Sequence, residues 1–287
     1  MSPVQHRKRK KKKSDPTAAM LRGLTVVSVC IAVLATALFL AVPRDGARTA
    51  PTLPEETTRQ TLPPSPIPAN PYGPEDFAWR DGYLTCTAGS AKLGVDVSAH
   101  QAQVDWDQVA GAGMEFAIIR LGYRGYTSGG IYEDEYALAN LRGAKNAGLQ
   151  TGAYFYSQAI TPEEAAEEAR LCISILDGRS LDLPLVYDWE YVSEEARTAN
   201  MDRDTLMACV DAFCRTVEEA GYDAMVYFNP ALAESLLDLE GLLEYPWWLA
   251  MYSERMTFPH AVEMWQYTAS GSVPGIEGDT DINLWFP

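Results

Sequence analysis

The chain has 287 residues, 47% of them hydrophobic and 22% charged, with a formal net charge of −16; one large folded domain or two ordinary ones fit the length. The charge is divided unevenly: residues 1–42 hold eight Lys or Arg against one acid, a net +7, which leaves −23 on the other 245 residues. A body that acidic argues against nucleic acid as a partner.

In chain order, residues 1–23 are a basic tail, with Arg7 to Lys13 unbroken. Leu24–Val42 follows as 19 uncharged residues rich in Val, Leu, Ala and Ile. At ~1.5 Å per residue a helix of that length spans roughly the ~30 Å core of a bilayer. Pro43, Arg44 and Asp45 offer no small-residue cleavage site, so an uncleaved single-pass anchor is expected, its basic tail in the cytoplasm and the rest of the chain outside. Residues 43–74 contain nine prolines among Thr, Ser, Glu and Ala, a composition that favours an extended, semi-rigid spacer. Within 75–92, Asp81-Gly82 between short apolar-alternating flanks predicts a small appended hairpin.

From Leu93 to the last residue, apolar strand patterns alternate with helical ones. Strands are predicted at 93–98, 116–123, 150–157, 183–190, 223–229, 247–253, 262–268 and 281–286, and helices at 105–112, 133–147, 162–176, 203–220 and 231–237. Thr161-Pro162-Glu163-Glu164 is a helix start, and Gly148 and Gly221 stand where helices end. The last strands are too close together for crossover helices. The expected fold is therefore an α/β incomplete TIM-like (β/α)5(β)3 barrel over 93–287, preceded by the membrane helix and the spacer. Cys86, Cys172, Cys209 and Cys214 fall outside the apolar stretch, and their pairing is left open.

In such barrels the strand C-termini collect at one mouth, where chemistry sits. Asp96, Asp188, Glu190 and Asp281 interrupt apolar runs at predicted strand ends. Asp188 and Glu190 are two apart, so a strand places both on one face. Two close carboxylates push their pKa values apart, leaving one able to donate a proton and one anionic, as glycosidic cleavage requires. The longer Glu190 is assigned as the acid and Asp188 as its anionic companion. Of the strand aromatics, Tyr154, Tyr227, Tyr252 and Trp265 are assigned to the mouth as sugar platforms, with Gln266 beside them. His100 and His260 have no partners spaced for zinc, and no loop has calcium-binding spacing, so no metal or other cofactor is expected. A nucleophile elbow and a phosphate-binding glycine loop are also missing.

Taken together, Gly94-Val-Asp-Val-Ser98 with Gln101 and Asp105-Trp106, Phe116-Ala-Ile-Ile-Arg120, Gly152-Ala-Tyr154, Asp188-Trp-Glu190, Trp248-Leu-Ala-Met-Tyr252, Trp265-Gln-Tyr267 and Asp281-Ile-Asn283 resemble the glycoside hydrolase family 25 muramidases over about 93–287. Ala102, after Gln101, and Thr280, before Asp281, depart from the family's usual residues without touching a carboxylate. The resemblance implies a peptidoglycan hydrolase that cleaves the β-1,4 bond from N-acetylmuramic acid to N-acetylglucosamine without cofactor, and a monomer is expected. It implies Glu190 as proton donor, supported by Asp188, Asp96 and Asp281, and favours retention with the substrate's acetamido group as a candidate nucleophile. Two other readings are a catalytically weak peptidoglycan-binding module and a hydrolase of another amino-sugar polymer; the first should have lost Asp188 or Glu190, and the second lacks its longer acidic series.

Overall fold

The structure, a computed structural model, describes residues 66–287. The basic tail, the expected membrane helix and the spacer up to residue 65 lie outside the described residues. Among those described, no helix is long and apolar enough to cross a membrane.

Eight strands close into a barrel: β3 (Lys92–Val97), β4 (Phe116–Arg124), β6 (Gln150–Ser157), β7 (Leu185–Trp189), β8 (Ala224–Phe228), β9 (Trp247–Ala250), β10 (Met264–Gly271) and β11 (Thr280–Trp285). They pair in parallel from β3 through β10, and β11 closes the ring antiparallel to both β10 and β3. The Gly- and Ser-containing link before β11 is too short for a crossover helix, so that strand must run backwards. The reversal puts the first residues of β11, rather than its last, at the mouth where the parallel strands end. A short strand that the sequence pattern does not announce, β5 (Ile131–Glu133), folds back along β4 and extends its end beyond the barrel rim.

Five helices alternate with the first strands: α1 (Trp106–Gly111), α2 (Ala137–Asn146), α3 (Pro162–Leu176), α4 (Arg203–Glu219) and α5 (Pro230–Ser235). Each start except that of α2 is capped by a side chain accepting a backbone N–H: Asp105, Thr161, Asp202 and Asn229. Gly148 and Gly221 take left-handed backbone just after α2 and α4, as the sequence pattern anticipates. This is the (β/α)5(β)3 arrangement.

Period-two alternation divides the core into two parts. One set of residues, including Phe116, Ile118, Val186, Met225, Trp248 and Met264, fills the barrel itself. The other lies between strands and helices, with Ile119, Phe155, Leu185, Cys172, Cys209 and Phe213 among its members. Gly94 is required by the first set, because a Cβ there would come within 2.5 Å of the Phe116 ring. All four described cysteines are free thiols, three of them buried.

The last three strands have no helices outside them, and the N-terminal segment covers them instead. The hairpin of β1 (Phe77–Arg80) and β2 (Tyr83–Cys86) turns through Asp81 and Gly82, both at positive φ. Phe77 meets the Trp265 ring edge-on at 5.1 Å, and the Leu84 N–H donates to the Tyr267 hydroxyl. Residues 66–74, expected within the spacer, also lie on the barrel. Tyr72 stacks on Phe286, Ala69 bridges to His260, and the Asn70 side chain donates to the Phe258 carbonyl.

Candidate active site

The inward positions at the strand ends form a layered pocket of about 190 Å³, lined by Asp96, Tyr154, Tyr156, Asp188, Glu190, Tyr227, Trp248, Tyr252, Gln266 and Asp281. The four acids picked out in the sequence therefore meet. Asp96 is next to last on β3, and Asp281 is its direct partner across the β3–β11 ladder. Asp188 is next to last on β7, and Glu190 is the first residue beyond it. Among the described residues, no three His, Cys, Asp or Glu are placed to hold a metal ion.

At the base of the pocket the hydrogen bonding is one connected network. The Trp248 indole N–H donates to Asn283 Oδ1 at 2.9 Å, and Asn283 Nδ2 donates to Asp96 Oδ2 at 2.8 Å. Gln266 Nε2 donates to the same Asp96 oxygen at 2.9 Å, while Gln266 Oε1 accepts from the Tyr227 and Tyr252 hydroxyls. These bonds favour the Asp96 carboxylate but do not outweigh its burial, and its pKa is pushed up to about 6, with the Glu190 charge adding to the rise. Asp281 is raised to about 8, first by burial and then by Asp96.

Asp188 and Glu190 stand together at the end of β7. Asp188 is the more deeply buried, and its pKa is raised well above the ordinary range by desolvation first, then by Glu190 and Asp96. Burial and the Asp281 charge raise Glu190 too, against a hydrogen bond between its carboxyl and that of Asp188. From the sequence Glu190 is the acid and Asp188 the anion, whereas burial alone would leave the proton on Asp188. Glu190, which lines both the pocket and the groove outside it, is the member a bound molecule can reach. The other Asp188 oxygen, Oδ1, is buried with no hydrogen-bond partner among the described residues.

Beyond Glu190 the pocket opens into a groove of about 1080 Å³ between the β4–β5 hairpin and the segment after β7. Tyr156 and Glu190 line both spaces. Arg120, Tyr123, Tyr126 and His100 form its walls, and Arg120 is fixed by a 2.8 Å ion pair to the buried Asp134.

Of the five residues assigned to sugar contact, Tyr154, Tyr227, Tyr252 and Gln266 line the pocket and Trp265 does not. Trp265 is fully buried on the outer face of β10, between Phe77 and Tyr267, with its indole N–H donating to the Met251 carbonyl. It is the immediate neighbour of Gln266, and a strand sends neighbours to opposite faces. Trp248 takes the interior place instead, its ring edge-on to Tyr154 and Tyr227. The sequence reading also left out Tyr156, Arg120 and Asn283. Each stands an even number of residues from a recognised site residue or interior position on its strand, which is the signal that finds it.

The barrel is similar to known proteins over most of its length. The model for glycosyl hydrolases family 25 matches residues 95–276. Lysozyme M1 of Streptomyces globisporus is 30% identical over 204 residues, covering 68% of this chain and 67% of its own. YegX of Escherichia coli K12, an uncharacterised protein, is 30% identical over 202 residues, covering 67% of this chain and 68% of its own. Among solved structures, the modular autolysin LytC of Streptococcus pneumoniae, in complex with a synthetic peptidoglycan ligand, superposes with a TM-score of 0.63 at 27% identity. That match covers 73% of this chain and 52% of LytC, so the chain spans about half the length of that relative.

Proposed function

Because this chain belongs to the glycosyl hydrolases of family 25, we propose that it is a muramidase cutting the β-1,4 bond between N-acetylmuramic acid and N-acetylglucosamine of peptidoglycan, with Glu190 as proton donor. The observation that carries this reading is the place of Glu190 at the seam of two spaces, an inner pocket of four carboxylates and tyrosines and an open groove outside. A glycosidic oxygen bridges two sugars. A donor that must reach it belongs where the sites for those sugars meet.

In the proposed reaction the muramic ring fills the inner pocket over Trp248, Tyr154 and Tyr227. Glu190 gives its proton to the glycosidic oxygen as the bond to the anomeric carbon breaks. The acetamido carbonyl oxygen of the same sugar closes on that carbon, its N–H donating to the Asp188 carboxylate. Glu190, now a carboxylate, takes a proton from water as the water's oxygen opens the ring so formed, and the configuration is retained. Lysozyme M1 carries its activity in its name, and LytC has been seen with a peptidoglycan ligand; both support carrying the substrate class over to this chain.

The test is muropeptide analysis after incubating the chain with purified peptidoglycan. New reducing ends on muramic acid are expected, and Glu190→Gln should reduce their release by about 10²–10⁴-fold, the usual contribution of a general acid. Digestion that survives the substitution would remove Glu190 from the donor role; intact glycan with the unaltered chain would remove the activity itself.

A further inference from the structure

Glu190 has no strand to hold it. The β6–β7 ladder ends at the pair Ser157 and Trp189, and residues 190–202 after it form no helix or strand. Yet the donor must stay within a fraction of an ångström of its working position for proton transfer to compete. The structure supplies the missing support from one side chain, Gln158, the residue just beyond β6.

Gln158 is completely buried. Its Nε2 donates to the Glu190 carbonyl at 2.8 Å and to the Ser157 carbonyl at 2.9 Å. Its Oε1 accepts from the Thr198 hydroxyl at 2.9 Å, and its own backbone carbonyl accepts from Arg197 Nη1 at 2.9 Å. Both amide protons are therefore used, and one amide ties the end of β6, the first residue after β7 and the far end of the loop. Arg197 extends the tie, forking onto both Glu164 carboxylate oxygens at 2.7 and 2.8 Å while its N–H donates to the Tyr126 carbonyl on the groove wall. A buried amide with every donor satisfied has one low-energy setting.

We propose that Gln158 is a positioning residue for the reaction, holding the Glu190 backbone through its carbonyl and thereby the Glu190 carboxyl against Asp188, with Thr198 locking the amide. It touches no substrate, and its effect passes wholly through Glu190. The inference rests on the reading of Glu190 as donor.

Two measurements on the full chain test it. One is hydrolysis of peptidoglycan as a function of pH, separating kcat from KM. The other is the titration of the Glu190 carboxyl by NMR with ¹³C-labelled glutamate, assigned with Glu190→Gln. Gln158→Leu removes the amide donor from the Glu190 and Ser157 carbonyls and frees the segment after β7. The expected result is a folded protein with kcat lowered by about 10²-fold, the cost of a misplacement near 1 Å, and little change in KM. Freed toward water, the Glu190 carboxyl loses part of the burial and Asp281 repulsion that raise its pKa, which are larger than the Asp188 bond that lowers it. Its titration and the basic limb of the kcat profile should then move together to lower pH.

Thr198→Val should give the same displacement in smaller measure, and Thr198→Ser, which keeps the hydroxyl, should restore the wild-type titration. A purely structural Gln158 would lower the melting temperature and leave the Glu190 titration where it was, and that result overturns the proposal. If Gln158→Leu does not fold, Thr198→Val decides in its place by the same readout. The titration does not depend on turnover, so an unaltered chain inactive on peptidoglycan would refute the muramidase reading while the position of the Glu190 carboxyl was still measured.

Discussion

The acids of the pocket are costly to keep, and their cost has a pH dependence that can be worked out. Asp281 has an ordinary pKa of 3.8 and is raised to about 8 in the fold, by burial and then by Asp96. The folded state thus binds its proton more tightly than the unfolded chain does. Such a group adds to stability below pH ~4 and loses that contribution as pH rises toward its folded value. Asp281→Asn removes the charge and keeps the shape. The variant should match the wild type near pH 4 and exceed it near pH 9. With allowance for the partial exposure of Asp281, the gain is on the order of 1–2 kcal/mol, or about 2–8 °C in melting temperature for a domain this size. A difference in melting temperature that stays flat between those pH values would show that the site does not strain the fold. Loss of hydrolysis together with gained stability is the exchange expected of a functional site. Asp96 is restrained differently: two amides donating to one oxygen hold it nearer the carboxylate range than its burial alone would.

At the scale of elements, the unusual feature is the strap and hairpin before β3, which occupy the face where a complete (β/α)8 barrel has helices. Phe77, Leu84 and Tyr72 put the outer sides of β10 and β11 out of water. Phe77→Ala should cost about 3 kcal/mol, as large-to-small changes in a packed aromatic cluster do, seen as a lower urea midpoint. The kcat of the folded fraction should hold, because no pocket residue belongs to the hairpin. A midpoint that does not move would make the hairpin a passive appendage. Caps, helix-ending glycines and the spacing of apolar runs made the eight barrel strands and five helices legible in the sequence, because each is a local signal. The covering role of residues 66–92 was not legible, since it depends on a barrel face that is bare only once the barrel has closed. The same limit explains Trp265. Placing it and Gln266 together at the mouth contradicts the period of a strand, but which of the two faces inward is decided by Met264 and Gln266 lying in register with Trp248 and Ala250 of β9. Gln158 carried no sequence signal, because its role comes from a loop that returns to it 40 residues later.

At the scale of the whole molecule, the sequence joins this domain to a basic tail and a 19-residue apolar stretch, Leu24–Val42, and we propose that these hold the enzyme at the outer face of the cell membrane. Two modes of attachment would look alike in a simple fractionation. The unbroken run Arg7 to Lys13 could bind anionic lipid at the surface, at about 1 kcal/mol per basic residue, a hold that salt weakens. An inserted helix is held by burial, which salt does not weaken. The full chain should therefore sediment with membranes, stay there through a high-salt wash, and leave only with detergent. Leu34→Arg with Leu38→Arg puts two charges into the middle of the stretch at about 2.5–3.5 kcal/mol each, and should release the protein although every basic residue remains. Release of the unaltered chain by salt alone would reduce the tail to a surface contact. If the anchor holds, residues 43–65 set how far the pocket can travel from the membrane. At no more than ~3.6 Å per residue, that reach limits cutting to the wall nearest the lipid.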